Sequence, residues 1–109
     1  MKIAPLILSC LVAISQLNAE MTPNQALDAL IKGNDRYTKN EFICPDRTEV
    51  RRAAVLSKQK PFATIVGCAD SRVPPEILFD QGVGDLFVVR IAGNVVGPIE
   101  LDSIDYSTL

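Results

Sequence analysis

The stretch FATIVGCADSRVPPE, Phe62 to Glu76, joins an apolar run to a cluster of reactive side chains. The apolar run shows no alternation of apolar and polar positions, which is typical of a strand covered on both faces in a parallel sheet. Pro74 and Pro75 end the polar cluster and are compatible only with a turn or with the first turn of a helix. The stretch therefore predicts a buried strand, a polar loop at its carboxyl end and a short helix.

A second apolar run, DLFVVRIAG, follows the predicted helix and is rich in residues that favour strands. Gly82 and Gly84 separate this run from the helix. Strand, helix and strand together form a βαβ unit, in which the strands are parallel and the crossover is right-handed. We therefore predict an α/β fold with a parallel β-sheet core and flanking helices.

Further helices are predicted on both sides of this unit. Residues 22–25, TPNQ, have the pattern of a capping box, and the apolar residues that follow recur at helical spacing. Gly33 and Asn34 are expected to weaken or end this first helix. A second, basic helix is predicted over residues 50–56, with its arginine and lysine side chains in solvent. Another helix is expected to begin at Pro98.

The N-terminal residues have a different character from the rest of the chain. Lys2 precedes an almost uncharged apolar run that ends at Ala19, and charged residues resume at Glu20. This pattern is typical of a signal peptide over residues 1–19, which would send the protein to the periplasm or out of the cell. The alternatives are lipidation at Cys10 and a retained membrane anchor, although the run is shorter than the ~20 residues that a membrane span needs.

Composition excludes several classes of function. The chain has 109 residues, a formal net charge of −2 and no histidine. The weak negative charge does not favour binding to nucleic acid or to an anionic membrane. The absence of histidine excludes a histidine-based triad and a histidine-ligated metal site within the chain itself. Cys44 and Cys68 lie outside the predicted signal peptide, and in an exported protein they could form a disulfide.

Cys68, Asp70 and Arg72 directly follow the first predicted strand. Ligands of open parallel sheets bind beyond the carboxyl ends of the strands, and a thiolate there can be a metal ligand or a nucleophile. Asp70 and Arg72 are close enough in sequence for a bidentate ion pair that lowers the pKa of the carboxyl. The same pair could also brace the loop without taking part in any chemistry, so the residues alone leave both interpretations open.

The segments CADSRV and PPEILFDQGVGDLFVVRIAGN together resemble the first half of the β-class carbonic anhydrases. The hallmark of that family is Cys-x-Asp-x-Arg, then a Gly-Asp-Leu-Phe-Val-x-Arg strand, then Ala-Gly-Asn. The similarity extends from Ala26 to Tyr106. It implies a zinc lyase (carbonate dehydratase) that reversibly hydrates carbon dioxide to bicarbonate, with Zn²⁺ as cofactor.

The resemblance also implies a role for individual residues. Cys68 matches the first zinc ligand. Asp70 matches a carboxylate that either pairs with Arg72, leaving a zinc position open for water, or moves onto the zinc and blocks it. Gln59 matches a glutamine that hydrogen-bonds bicarbonate, and Phe87 matches an aromatic residue that lines the carbon dioxide pocket. In the family these last two residues reach the site from a neighbouring subunit, which implies a homodimer or a higher oligomer.

One part of the family pattern is missing from this sequence. The family completes its zinc site with a downstream His-x-x-Cys motif, whereas Cys68 and Asp70 alone fall short of the three protein ligands that a catalytic zinc site needs. We therefore interpret residues 20–109 as the N-terminal part of a β-carbonic anhydrase-like domain, incomplete, truncated before that motif and inactive by itself. The alternatives are a non-catalytic dimerisation module without zinc, and a hydrolase of the same superfamily that acts on another small molecule such as carbon disulfide.

Overall fold

The computed structural model describes residues 20–109, and the predicted signal peptide lies outside this range. The elements, in chain order, are α1 (Pro23–Lys39), α2 (Glu49–Ala54), β1 (Ala63–Gly67), α3 (Pro75–Leu78), β2 (Leu86–Arg90), a 3₁₀ turn (Ala92–Asn94) and α4 (Pro98–Tyr106). No helix within residues 20–109 is both long enough and apolar enough to cross a membrane.

The strands β1 and β2 pair in parallel, with Gly67 opposite Arg90 at their carboxyl ends. The helix α3 lies between them in sequence, so the predicted βαβ unit and α/β class are confirmed. Backbone pairing continues beyond the strands, because the Ile91 N–H donates to the Gly67 carbonyl at 3.0 Å and the Ala69 N–H donates to the Ile91 carbonyl at 3.2 Å. The two loops that follow the strands therefore start side by side, beyond the carboxyl ends of β1 and β2.

The burial of β1 differs from the prediction. Every residue of β1 is half-buried, whereas β2 buries Leu86 and Val89. The expectation of a strand covered on both faces is therefore wrong for β1 within residues 20–109. The physical reason is that the sheet of the described residues has only two strands, so part of its surface stays accessible.

The first helix confirms its predicted start but not its predicted end. The Thr22 hydroxyl accepts the Gln25 N–H at 3.2 Å, and the Gln25 side chain accepts the Thr22 N–H at 2.9 Å, which completes the capping box. The helix then continues through Gly33 to Lys39 and ends at Asn40, whose φ of 56° is left-handed. The expectation that the helix weakens or ends near Gly33 is wrong.

The packing of α1 against the end of α3 explains why residue 33 is a glycine. A Cβ at Gly33 would lie 1.7 Å from the Phe79 carbonyl oxygen, so only glycine permits this approach. The neighbouring Asn34 uses its side-chain amide to donate to the Leu78 carbonyl at 3.0 Å. Both residues that the sequence suggested as helix breakers are therefore contact residues inside a continuous helix.

A buried carboxylate, Asp80, connects α1 to the loop that follows it. The Asp80 side chain is 0% exposed and accepts hydrogen bonds from four donors: Arg36 Nε (2.7 Å), Ile43 N–H (2.9 Å), Cys44 N–H (3.1 Å) and Arg47 Nη2 (3.4 Å). Burial raises the pKa of Asp80, but these donors outweigh burial and hold its pKa below the usual range. The carboxylate is therefore ionised and fully partnered.

Two arginines of the basic segment around α2 make contacts with the protein that the sequence did not predict. Arg47 Nε donates to the Gln81 carbonyl at 3.0 Å. Arg51 donates to the Val83 carbonyl at 2.8 Å and to Asp85 Oδ1 at 3.2 Å. A solvated face is thus the wrong interpretation for these two arginines, because they satisfy carbonyl and carboxylate groups in the turn that leads into β2.

Two carboxyl groups meet beside Arg51. Asp85 is 8% exposed, accepts the Gly82 N–H at 2.8 Å and lies near the carboxyl of Asp46. Burial first and the neighbouring Asp46 second raise the pKa of Asp85, and together they bring it to about 6 against the opposing effects of the Gly82 N–H and the Arg51 charge. The ionised form of Asp85 is therefore less favoured in the folded chain than in the unfolded chain.

This carboxyl pair predicts that the free energy of unfolding decreases as the pH rises from about 4 to about 6. The pKa of Asp85 is about 6 in the folded chain against a reference of 3.8, so its contribution is complete below 3.8 and is lost as the pH rises through 6. The difference corresponds to at most about 3 kcal/mol. Urea unfolding of the Asp85→Asn variant across this range should show a flatter dependence on pH. The exposed Asp102→Asn control should keep the original slope, and an equal slope in both variants would contradict the prediction.

Candidate functional site

The candidate site lies at the carboxyl ends of β1 and β2. Cys68 is the first residue after β1, and its loop continues through Asp70 to Arg72. The last residue of β2, Arg90, reaches this loop: its Nε donates to the Cys68 carbonyl at 2.8 Å, and its Nη2 donates to the Asp70 carbonyl. The end of one strand thus holds the loop that follows the other.

The Cys68 thiol accepts hydrogen bonds from two backbone donors. The Asp70 N–H is 3.4 Å from Cys68 Sγ, and the Gly93 N–H is 3.3 Å from it. Gly93 has a φ of 68°, a left-handed conformation that favours glycine. Hydrogen bonds from Asp70 first and from Gly93 second lower the pKa of Cys68, against partial burial and the Asp70 charge. This environment favours a thiolate, the form that binds metals or acts as a nucleophile.

Asp70 and Arg72 form the bidentate ion pair that the sequence suggested. Arg72 Nε lies 3.0 Å from Asp70 Oδ1, and Arg72 Nη2 lies 2.7 Å from Asp70 Oδ2. The Arg72 backbone N–H also donates to Oδ1 at 2.8 Å. The Arg72 side chain holds the pKa of Asp70 below its usual range, and Asp70 in turn raises the pKa of Arg72. The Arg72 side chain is 85% exposed, so the pair fixes an ionised carboxylate at the surface and contributes little to stability.

Gln59 and Phe87 lie elsewhere in the chain. They line a cavity of about 210 Å³ together with Pro61, Tyr106, Ser107 and Leu109. Phe87 pairs with Thr64, three residues before the Gly67 level at which β1 ends, or roughly 10 Å along the strand. Cys68, Asp70 and Arg72 do not line this cavity. The structure therefore brings three of the five predicted site residues together and places the other two in a separate concavity.

Three further residues around these sites make contacts that the sequence patterns did not predict. Arg90 and Gly93 lie inside the quoted family motif, which was the available signal, but their contacts with Cys68 depend on the pairing of β1 with β2. Tyr106 packs against Phe87 with ring centroids 6.0 Å apart, and only the tertiary structure brings these rings together.

The residues present do not complete a zinc site. No group of three or more His, Cys, Asp or Glu side chains within residues 20–109 is arranged to hold a metal ion. Cys68 and Asp70 supply two donors, and both oxygens of Asp70 are engaged by Arg72. Cys44 and Cys68 are both free thiols, so the alternative of a disulfide between them is not formed here.

The comparison with known families agrees with this local geometry. Residues 63–108, which span β1 to the end of α4, match the family model described as carbonic anhydrase. This segment is therefore similar to the carbonic anhydrases. The resemblance that the cysteine loop and the second strand motif indicated is thereby confirmed.

Individual carbonic anhydrases are similar to a larger part of the chain. Carbonic anhydrase 2 of Mycobacterium tuberculosis is 48% identical over 85 residues, which are 78% of this chain and 41% of that protein. The Mycolicibacterium smegmatis carbonic anhydrase is 47% identical over 85 residues, with the same coverage of 78% and 41%. The Pseudomonas aeruginosa carbonic anhydrase is 37% identical over 67 residues, 62% of this chain and 29% of that protein. The chain spans about two fifths of the length of its mycobacterial relatives.

Proposed function

We propose that this chain supplies the N-terminal part of a carbonic anhydrase active site, for the zinc-dependent reversible hydration of carbon dioxide to bicarbonate. One observation carries the proposal: Cys68 Sγ receives two backbone N–H groups beside the bidentate Asp70–Arg72 pair. This places a stabilised thiolate next to a carboxylate with a fixed charge. Residues 20–109 by themselves are expected to be inactive, because they supply too few zinc ligands.

Each residue of this cluster has a proposed task. Cys68 is one ligand of zinc, for which a thiolate is a suitable donor. Arg72 holds Asp70 ionised and engages both of its carboxylate oxygens, and release of that pair would free the carboxylate as a second donor. The remaining ligands have to come from outside residues 20–109, and no catalytic step follows from the described residues alone.

The substrate-binding proposal requires a second subunit. Gln59 and Phe87 share a cavity that the Cys68 loop of the same chain does not line. We propose that this cavity faces the Cys68 loop of a neighbouring copy and receives carbon dioxide or bicarbonate there. The separation of the two sites within one chain supports a homodimer or a higher oligomer.

The proposed location follows from the N-terminal pattern alone. Residues 1–19 are proposed to be a signal peptide and residues 20–109 part of the exported domain, in the periplasm or outside the cell. Lipidation at Cys10 is the alternative. Mass determination of the N-terminus of the protein recovered from the exported fraction distinguishes a free Glu20 from a lipid-modified Cys10.

A chimera tests the proposed activity. Residues 20–109 are joined to the part of the Mycobacterium tuberculosis relative that follows the aligned region, and zinc content and carbon dioxide hydration are measured on the same sample. The chimera is expected to bind about one zinc per chain and to hydrate carbon dioxide. Cys68→Ser should lose both properties, whereas the matched control Cys44→Ser should keep both.

The same samples separate the alternatives. A chimera that is folded by circular dichroism but free of zinc would contradict the proposal and favour a non-catalytic module. A zinc-containing chimera that consumes carbon disulfide but not carbon dioxide would indicate the related hydrolase. If residues 20–109 alone bind zinc stoichiometrically and hydrate carbon dioxide, the expected inactivity of this segment is wrong.

A further inference from the structure

Arg90 makes two contacts that have no part in the proposed function. Its guanidinium donates to the carbonyl oxygens of Cys68 and Asp70, which lie on either side of Ala69. One guanidinium group therefore binds two peptide groups of the same short loop. The fork of five N–H donors of an arginine suits such a double contact, whereas a lysine ammonium is a single point of charge.

The orientation of the loop determines where its donors point. Backbone pairing beyond the strands holds Ala69 to Ile91, so the loop begins in register with β2. The Arg90 contact with the Asp70 carbonyl then orients the residue whose N–H lies 3.4 Å from Cys68 Sγ. The second N–H near the sulfur, that of Gly93, comes from the 3₁₀ turn shortly after Arg90 in the chain.

Arg90 thus lies between the two segments whose N–H groups donate to the thiol. It is half-buried at the end of β2, and its charge lies close enough to lower the pKa of both Cys68 and Asp70, although less than their direct hydrogen bonds do. The exposed Asp70–Arg72 pair forms within three consecutive residues and offers no comparable link to the sheet. A connection between the loop and the sheet therefore depends on the Arg90 side chain and the backbone pairs beside it.

We propose that Arg90 is a positioning residue that holds Cys68 and the Asp70–Arg72 pair in their functional arrangement. This inference rests on the proposed function, since it assigns the arrangement to that site. Arg90 acts through two backbone carbonyls, and its removal is expected to loosen the loop while leaving the β1–β2 pairing in place.

Amide hydrogen exchange measured by NMR on the full chain tests this role, with Arg90→Met, Arg90→Lys and the exposed control Arg52→Met. In Arg90→Met, the amides of Asp70, Arg72 and Gly93 are expected to exchange about tenfold faster or more, while those of the β1–β2 ladder keep their protection. Arg90→Lys should give an intermediate increase confined to the same amides. Arg52→Met should change none of them.

Two results would overturn the proposal. Unchanged exchange at Asp70, Arg72 and Gly93 would show that Arg90 does not position the loop. An equal increase across the ladder and the loop would show that Arg90 supports the whole sheet instead. If Arg90→Met does not fold, the folded Arg90→Lys variant decides by the same two criteria. The measurement involves neither zinc nor carbon dioxide, so a chimera without zinc would overturn the proposed function and leave this result standing.

Discussion

Replacement of Asp80 by alanine is expected to lower the free energy of unfolding by about 3–5 kcal/mol. The Asp80 side chain is 0% exposed, and its removal leaves Arg36, Arg47 and the N–H groups of Ile43 and Cys44 without their shared acceptor. Burying unpaired charges and donors costs far more than losing an exposed ion pair. Small domains are typically stable by only about 5–15 kcal/mol, so the variant should be close to unfolding. Urea unfolding followed by circular dichroism measures the change.

Asp35→Ala is the matched control for this measurement. Asp35 also pairs with a basic residue, Lys39 at 2.8 Å, but its side chain is 56% exposed. Its removal is expected to change stability by less than about 0.5 kcal/mol. Asp80→Asn, which keeps the shape but removes the charge, should fall between the two. Similar losses for Asp80→Ala and Asp35→Ala would show that the buried network does not hold α1 against the following loop.

Replacement of Gly33 by alanine is expected to destabilise the chain by about 3 kcal/mol. The added Cβ would meet the Phe79 carbonyl oxygen at 1.7 Å and the Phe79 carbonyl carbon at 2.6 Å. These are backbone atoms, so the strain can be relieved only by moving α1 away from the end of α3. That movement would stretch the Arg36–Asp80 contact of 2.7 Å and the Asn34–Leu78 contact of 3.0 Å.

The sign of this effect is informative, because helix propensity alone predicts the opposite result. Alanine is better than glycine in a helix interior by about 1 kcal/mol. The exposed control Lys32→Ala on the same helix should change stability by less than about 1 kcal/mol. A stabilised Gly33→Ala variant in thermal and urea unfolding would show that α1 does not approach Phe79 closely.

Patterns between neighbouring residues predicted much of the fold. The capping box at Thr22 and the βαβ unit depend on interactions within a turn or on the apolarity of a continuous run, so they are visible in the order of residues. The Asp70–Arg72 pair is of the same kind, since its partners are two positions apart. The family motif added Cys68 as a candidate ligand, and the structure places that thiol beside this pair.

These local patterns did not predict contacts between residues that are far apart in the sequence. Arg36 and Asp80 are 44 positions apart, and Gly93 is 25 positions from the thiol to which it donates. Glycine at position 33 is a poor helix former by local rules, yet the close approach of Phe79 requires it. Arg47 and Arg51 were likewise predicted to be solvated, because their acceptors lie more than 30 positions away, in the turn before β2.

The sequence by itself thus determined the order of the elements, the parallel pairing expected of the two strands and the cluster of Cys68, Asp70 and Arg72. Only the tertiary structure decided that Arg90 binds the carbonyls of the Cys68 loop, that Gly93 donates to the thiol, and that Gln59 and Phe87 share a different cavity. The physical reason is that local propensity and apolar periodicity act over a few residues. Hydrogen bonds to buried carbonyl, carboxylate and thiol groups form wherever the packed backbone brings a donor within reach.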